Sequence, residues 1–164
     1  MNKEMRHFEK SANIKASPQE IFEYADNHAN FSAHMSKSSW MMAGGKMETQ
    51  VDEGKGQKVG SHIRLKGKIL GINLYLDEFV TVHEHPFRKA WQTVGDLSLL
   101  VIGHYKMGLE INPENNESKF KVYIDYELPG SFRTRWLGYL FGRIYAKWCV
   151  NQMLQDTYKH FSQN

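Results

Sequence analysis

Glu78 is the carboxylate best placed to do acid–base chemistry. It follows Leu74 and Leu76 in phase along an alternating run, so a regular strand turns it inward with them. A carboxyl buried there holds its proton to higher pH and can exchange it near neutrality. A bulge would turn Phe79 inward instead. Arg143, Lys147 and Asn151 form a second constellation, a polar row at four-residue spacing inside an apolar helical stripe. Such a row either orients an acidic or hydroxylated ligand group, or snorkels to water along the edge of the stripe, with Asn151 bonding nearby backbone. His83 and His85 are two apart on one strand, as some zinc ligands are, but a site needs three or four ligands and no third is evident, so no metal is expected. Cys149 lies mid-helix with no local histidine, which suits a quiet, partly buried thiol. Gly54-x-Gly56 with Gly60 has the wrong spacing for a phosphate loop and precedes a strand, and no other cofactor motif occurs.

These residues need elements to position them. His7 to Lys15 reads as a first strand. Ser17-Pro18-Gln19-Glu20 is a helix start, with Ser17 as N-cap, Pro at the first helical position and Glu20 closing a capping box; the helix ends near Asn27. A second short helix spans roughly Asn30 to Met35. Six strands are expected next: Trp40 to Val51 with a bend at Gly44-Gly45, Val59 to Ile69, Ile72 to Val82, Phe87 to Val94, Val101 to Ile111 and Phe120 to Tyr126. Turns fall at Asp52 to Gly56, Gly71, His83 to Pro86, Gly95-Asp96 and Asn112 to Asn116. After Pro129-Gly130, one long helix from Ser131 to Phe161 carries Trp136, Leu140, Ile144, Trp148, Leu154, Tyr158 and Phe161 on one face, with Ser131 as its N-cap.

The chain has 164 residues, consistent with a single domain over residues 1–164. Its hydrophobic content of 41% argues against disorder. A net charge of +3 with basic residues spread along the chain gives no nucleic-acid footprint. One cysteine permits no internal disulfide, and the first residues hold no signal-peptide core, so a cytoplasmic protein is expected.

Ser17-Pro18-Gln19-Glu20-Ile21-Phe22 after a first strand, the run from Asp77 to Trp91 through His85-Pro86, and the long terminal helix stand in an order that resembles the START-like (SRPBCC) superfamily, which includes birch-pollen-allergen-like and polyketide cyclase/dehydrase-like proteins. The resemblance covers essentially the whole chain. It implies an α+β helix-grip fold, in which a curved antiparallel sheet of about seven strands wraps around a long C-terminal helix, with two short helices after the first strand. It also implies a cavity between sheet and helix for an apolar or amphipathic molecule. Arg143, Lys147 and Asn151 would face that cavity, with Trp91, Tyr105, Met107 and Tyr126 supplied by the sheet.

The expected function is binding or transport of a hydrophobic, lipid- or polyketide-like small molecule without covalent chemistry or cofactor. The alternative is a cyclase or dehydratase in which Glu78, Tyr105 and Arg143 act together. A third feature stands apart from both. The segment from Arg133 to Tyr145 is apolar almost all round and edged by Arg133, Arg135 and Arg143. That composition suits contact with a membrane surface or a second subunit. Burial under neighbouring elements, or a helix broken at Gly138 and Gly142, is the reading preferred from the sequence, since isolated glycines weaken a helix there.

Overall fold

A computed structural model of the chain describes residues 5–31, 33 and 46–163. Seven strands form one antiparallel sheet: β1 (Arg6–Ile14), β2 (Lys46–Val51), β3 (His62–Ile69), β4 (Ile72–Glu84), β5 (Arg88–Ser98), β6 (Tyr105–Glu114) and β7 (Glu117–Tyr126). Their order across the sheet is β1-β7-β6-β5-β4-β3-β2. The strands from β2 to β7 each pair with the next in sequence, as short turns dictate. β1 pairs with β7 at the far edge. The chain therefore crosses the whole sheet between β1 and β2, and α1 (Pro18–Asp26) and α2 (His28–Phe31) lie in that connection. The expected continuation of the second helix to Met35, and of β2 back to Trp40 through Gly44-Gly45, falls outside the described residues.

Local chemistry explains most boundaries. The Ser17 hydroxyl accepts from the Glu20 amide at 3.3 Å, and the Glu20 carboxylate accepts from the Ser17 amide at 2.8 Å, so the capping box is formed. Asp52 closes the β2–β3 turn by accepting from the amides of Gly54 and His62. Asn115, with φ 52°, supplies the left-handed residue of the β6–β7 hairpin. Three expected strand starts move, β7 beginning at Glu117 rather than Phe120. β3 begins at His62 because Gly60 takes φ 85°, and β6 begins at Tyr105, leaving residues 99–104 as a loop.

A buried ion pair seats α1 on the sheet. Lys89 of β5, on the covered face, donates to the Asp26 carboxylate at 2.7 Å and to the Asp26 carbonyl at 3.3 Å. This places a cation on the C-terminal end of α1, where the helix dipole favours it. His83 bonds the other Asp26 oxygen at 2.9 Å. The rings of His83 and His85 both stand edge-on to Phe22, at 5.3 and 5.0 Å.

The long terminal helix is continuous in direction but not in winding. α3 (Phe132–Leu137) passes through a π-helical turn at Gly138–Gly142 into α4 (Arg143–Ser162). A π turn puts more residues into each revolution and shifts the phase of the side chains on its two sides. The buried stripe of α4 is Ala146, Cys149, Val150, Met153, Leu154 and Thr157. Of the expected face, Leu154 is buried and Trp148 and Phe161 pack against the core, whereas Trp136, Leu140, Ile144 and Tyr158 are exposed, because the contact is made by smaller residues to one side of them. Ser131 holds the N-cap position, but its side chain makes no cap bond. Packing at the π turn uses absence of side chain. A Cβ on Gly138 would collide with Pro129 Cδ, and one on Gly142 would lie 2.8 Å from the Val101 carbonyl oxygen.

Gly138→Ala sets two effects against each other. Alanine favours a helix by up to about 1 kcal/mol, while forced overpacking costs roughly 1–3 kcal/mol. The contact with Pro129 is too close to relieve by side-chain rotation, so net destabilisation of about 1 kcal/mol or more is expected in urea denaturation. Equal or greater stability would show that the helix does not rest on the Val101 loop as described.

Candidate functional site

Alternation along β4 carries Leu74, Leu76, Glu78 and Val80 inward, and the pairing irregularities of β4 with β5 do not reverse that phase. Glu78 is thus only 4% exposed, on the inner face of the sheet. Trp91 of β5 and Tyr105 and Met107 of β6 approach it from one side. Tyr145, Cys149 and Met153 of α4 close it from the other, and His28 of α2 bounds one end. Between them lies a void of about 40 Å³. That is the room of about one water molecule.

The polar groups at this void form a small, mostly uncharged network. The Tyr105 hydroxyl donates to the Glu78 carboxyl in a very short hydrogen bond. Trp91 makes a further side-chain hydrogen bond to Glu78. Burial pushes the Glu78 pKa up to about 7; the bonds from Tyr105 and Trp91 and the charge of Lys89 oppose the shift without cancelling it. Burial, reinforced by Glu78, holds the Tyr105 hydroxyl well above its ordinary pKa, so it remains a donor. Tyr145 is likewise raised, by burial first, and hydrogen-bonds Cys149. The Cys149 thiol is pushed up to about 12 by burial and is not a thiolate nucleophile at neutral pH. His28 is lowered to about 4 by burial and by the nearby Lys89 charge, and so is neutral.

The site can do two things. A half-ionised carboxyl beside a fixed phenol donor can hold the hydroxyl, carbonyl or amine of an otherwise apolar molecule, and the same pair can pass a proton to or from it.

Of the residues singled out in the sequence, Glu78, Trp91, Tyr105 and Met107 converge on the void. Tyr126 is buried beside them, with its ring under Gly142, and does not line it. Arg143, Lys147 and Asn151 lie elsewhere. Arg143 is exposed, Lys147 stands 5.6 Å over the Phe8 ring, and Asn151 accepts from Lys10 at 2.9 Å. The row follows the edge of α4 that faces β1, so Arg143 is too remote in placement to complete a trio with Glu78 and Tyr105. His83 and His85 serve α1 packing, and no group of three or more metal-ligating side chains occurs among the described residues.

Sequence reasoning missed His28, Tyr145 and Cys149 as neighbours of one void. Tyr145 and Cys149 are four apart on a helix and so share a face, which was a readable signal. His28 had none, since its position depends on how the crossover connection folds back.

No family model matches the sequence, and no curated protein matches it. Solved structures do share its fold. The crystal structure of Ara h 8.0201 matches over 98% of this chain and 100% of that one, at 11% identity and a TM-score of 0.64. A norcoclaurine synthase point mutant from Thalictrum flavum with a transition-state analogue matches over 99% and 98%, at 10% identity and a TM-score of 0.68. The ZhuI aromatase/cyclase from Streptomyces sp. R1128 matches over 94% of each chain, at 12% identity and a TM-score of 0.62. The helix-grip architecture implied by the sequence motifs is therefore the architecture of this chain, and identities this low carry the fold alone.

Glu78 and His28 give stability opposite pH dependences. Between pH 4.5 and about 7 the folded state keeps the Glu78 proton that the unfolded chain has lost, so this group lowers stability as pH rises, and the loss is complete above 7. Between about 4 and 6.5 the unfolded chain holds a His28 proton that the folded state lacks, so His28 raises stability as pH rises. The two oppose each other from about 4.5 to 6.5. Glu78→Gln keeps an acceptor for Tyr105 and removes only the first effect. Relative to wild type, this variant should gain roughly 3 kcal/mol of stability between pH 4.5 and pH 8, read from urea midpoints. Parallel pH profiles for the two proteins would show that Glu78 is not held protonated by burial.

Proposed function

We propose that the chain binds a hydrophobic small molecule between its sheet and α4, without covalent chemistry, and that Glu78 and Tyr105 hold the molecule's one hydrogen-bonding group. The observation that carries this reading is a carboxyl buried in an apolar wall, beside a void, with bonds to neutral donors. Folding alone gains nothing from it, since burying a carboxyl is costly and a leucine would fill the space at lower cost. Trp91, Met107 and Met153 form the apolar surround. The void is far below the roughly 300–1,000 Å³ that encloses a drug-sized ligand, so binding requires the wall to yield. Met107 and Met153 are the side chains best suited to repack, being unbranched and flexible. Binding on this fold has precedent in the norcoclaurine synthase structure with dopamine and hydroxybenzaldehyde.

A second reading, acid–base catalysis of the cyclase or dehydratase kind, draws on one specific observation. The Glu78 pKa near 7 is matched to proton transfer at neutral pH, and Tyr105 is in contact with it. Arg143 has no part in this version.

Native mass spectrometry of purified protein, followed by organic extraction, tests both readings. The first expects an adduct that extracts as an apolar molecule. It also expects a panel of hydroxylated and carbonyl-bearing aromatics to quench tryptophan fluorescence saturably, with Tyr105→Phe and Glu78→Gln weakening the best of them about tenfold. Bare protein mass together with no saturable quenching would defeat it. Recovery of a chemically altered molecule from wild type, but an unaltered one from Glu78→Gln, would establish the second reading instead.

A further inference from the structure

Among the described residues, the start of the terminal helix is the least buried apolar stretch. α3 buries none of its residues. Phe132 is 94% exposed, Trp136 57% and Leu140 59%, and Tyr139, Phe141 and Ile144 are exposed with them. A single exposed apolar residue needs no explanation, but a contiguous set marks a contact surface. The set includes Trp and Tyr, whose amphipathic rings prefer the boundary between water and hydrocarbon.

Charge identifies the partner. Residues 128–155 contain no Asp or Glu, while Arg133, Arg135, Arg143 and Lys147 all fall within them. Arg133, Arg135 and Arg143 are exposed. Arg6 of β1 adds a further cation, its guanidinium 5.3 Å from the centre of the Tyr139 ring. The chain as a whole carries only +3, so this face is much more basic than the average surface. A second copy of the chain fits poorly. Two-fold pairing through this face would set the arginines against their own kind, with no carboxylate in the segment to compensate. The surface is an exposed helix with aromatic groups between cations. That form suits partial insertion at the level of lipid headgroups, with the arginines on phosphates. No helix among the described residues is long and apolar enough to span a bilayer, so the contact is peripheral.

We propose that α3 and the π turn dock the protein on an anionic lipid bilayer, with Phe132, Trp136 and Leu140 entering the headgroup region and Arg133, Arg135 and Arg143 engaging lipid phosphates. The inference does not depend on what the interior void holds. It is tested by co-sedimentation of the full chain with large unilamellar vesicles of phosphatidylglycerol mixed with phosphatidylcholine, and with vesicles of phosphatidylcholine alone. Binding is expected on the anionic vesicles at about 0.05 M salt and should weaken strongly at about 0.3 M as the charges are screened. Each of Arg133→Ala and Arg135→Ala should weaken it roughly fivefold. Phe132→Ser combined with Trp136→Ser should weaken it at least about tenfold, with far-UV circular dichroism unchanged because both side chains lie outside the core. Absence of binding to anionic vesicles at low salt would overturn the proposal, as would equal binding to phosphatidylcholine alone at both salt concentrations. It would equally be overturned if the aromatic variants matched wild type on vesicles but lost a concentration-dependent dimer in sedimentation velocity, which would mark a self-association surface.

Discussion

A seven-stranded sheet has one apolar face, and here a single long helix must cover most of it. That constraint orders the rest of the molecule. α4 packs chiefly on β1 and β7, at one side of the sheet. Its buried stripe includes the small residues Ala146, Cys149 and Val150, and the π turn rests on the 99–104 loop through Gly138 and Gly142. Small residues at these points let the helix axis come close, and close approach gives the dense contact that makes burial worthwhile. The cover is narrower than the sheet. α1 shields part of the remainder, and the void lies between sheet and α4 beside Glu78.

Two buried charged positions show how differently the same cost can be met. Lys89 is removed from water almost completely, yet it faces the Asp26 carboxylate and a helix-end carbonyl, and His83 supports the same Asp26. Each charge there has a partner, so the cluster acts as a fastening for α1. Glu78 faces a phenol and an indole, both neutral donors. Hydrogen bonds from neutral groups do not replace lost hydration of a full charge, and the carboxyl responds by keeping its proton. One arrangement is what a structural role requires. The other leaves a group whose protonation changes easily at neutral pH, with free space next to it.

The terminal helix is divided between two environments by the π turn. Beyond it, α4 is ordinary covering helix with a buried stripe and a polar outer face. Before it, α3 is a short helix whose large apolar groups face water. A six-residue helix without buried contacts or a side-chain cap has little of its own to hold it. It persists here as an extension of α4, seated at Gly138 against Pro129 and Val101.

Local rules made much of this legible from the sequence alone. The capping box at Ser17 and Glu20, the Asn115 hairpin and the number and order of strands all follow from chemistry within a few residues of the chain, so they could be read before any tertiary structure was known, whereas the phase of Glu78 stayed open until the structure showed no bulge reversing it. The face of the terminal helix could not be read in that way. Hydrophobic periodicity gives most weight to the large residues, Trp136, Leu140 and Ile144, whereas the contact with the sheet belongs to small ones, and the π turn breaks the single period on which the reading rested. Arg143, Lys147 and Asn151 run along β1 rather than at the void because the buried stripe of α4 is carried by its small residues, to one side of that row. A cavity between sheet and helix was implied by the family resemblance, but its full lining was beyond sequence reasoning. It exists because Glu78, Tyr105, Tyr145, Cys149 and His28, from four separate elements, meet at one point, and such a meeting depends on how the helix and the crossover connection settle on the sheet, which no local pattern encodes.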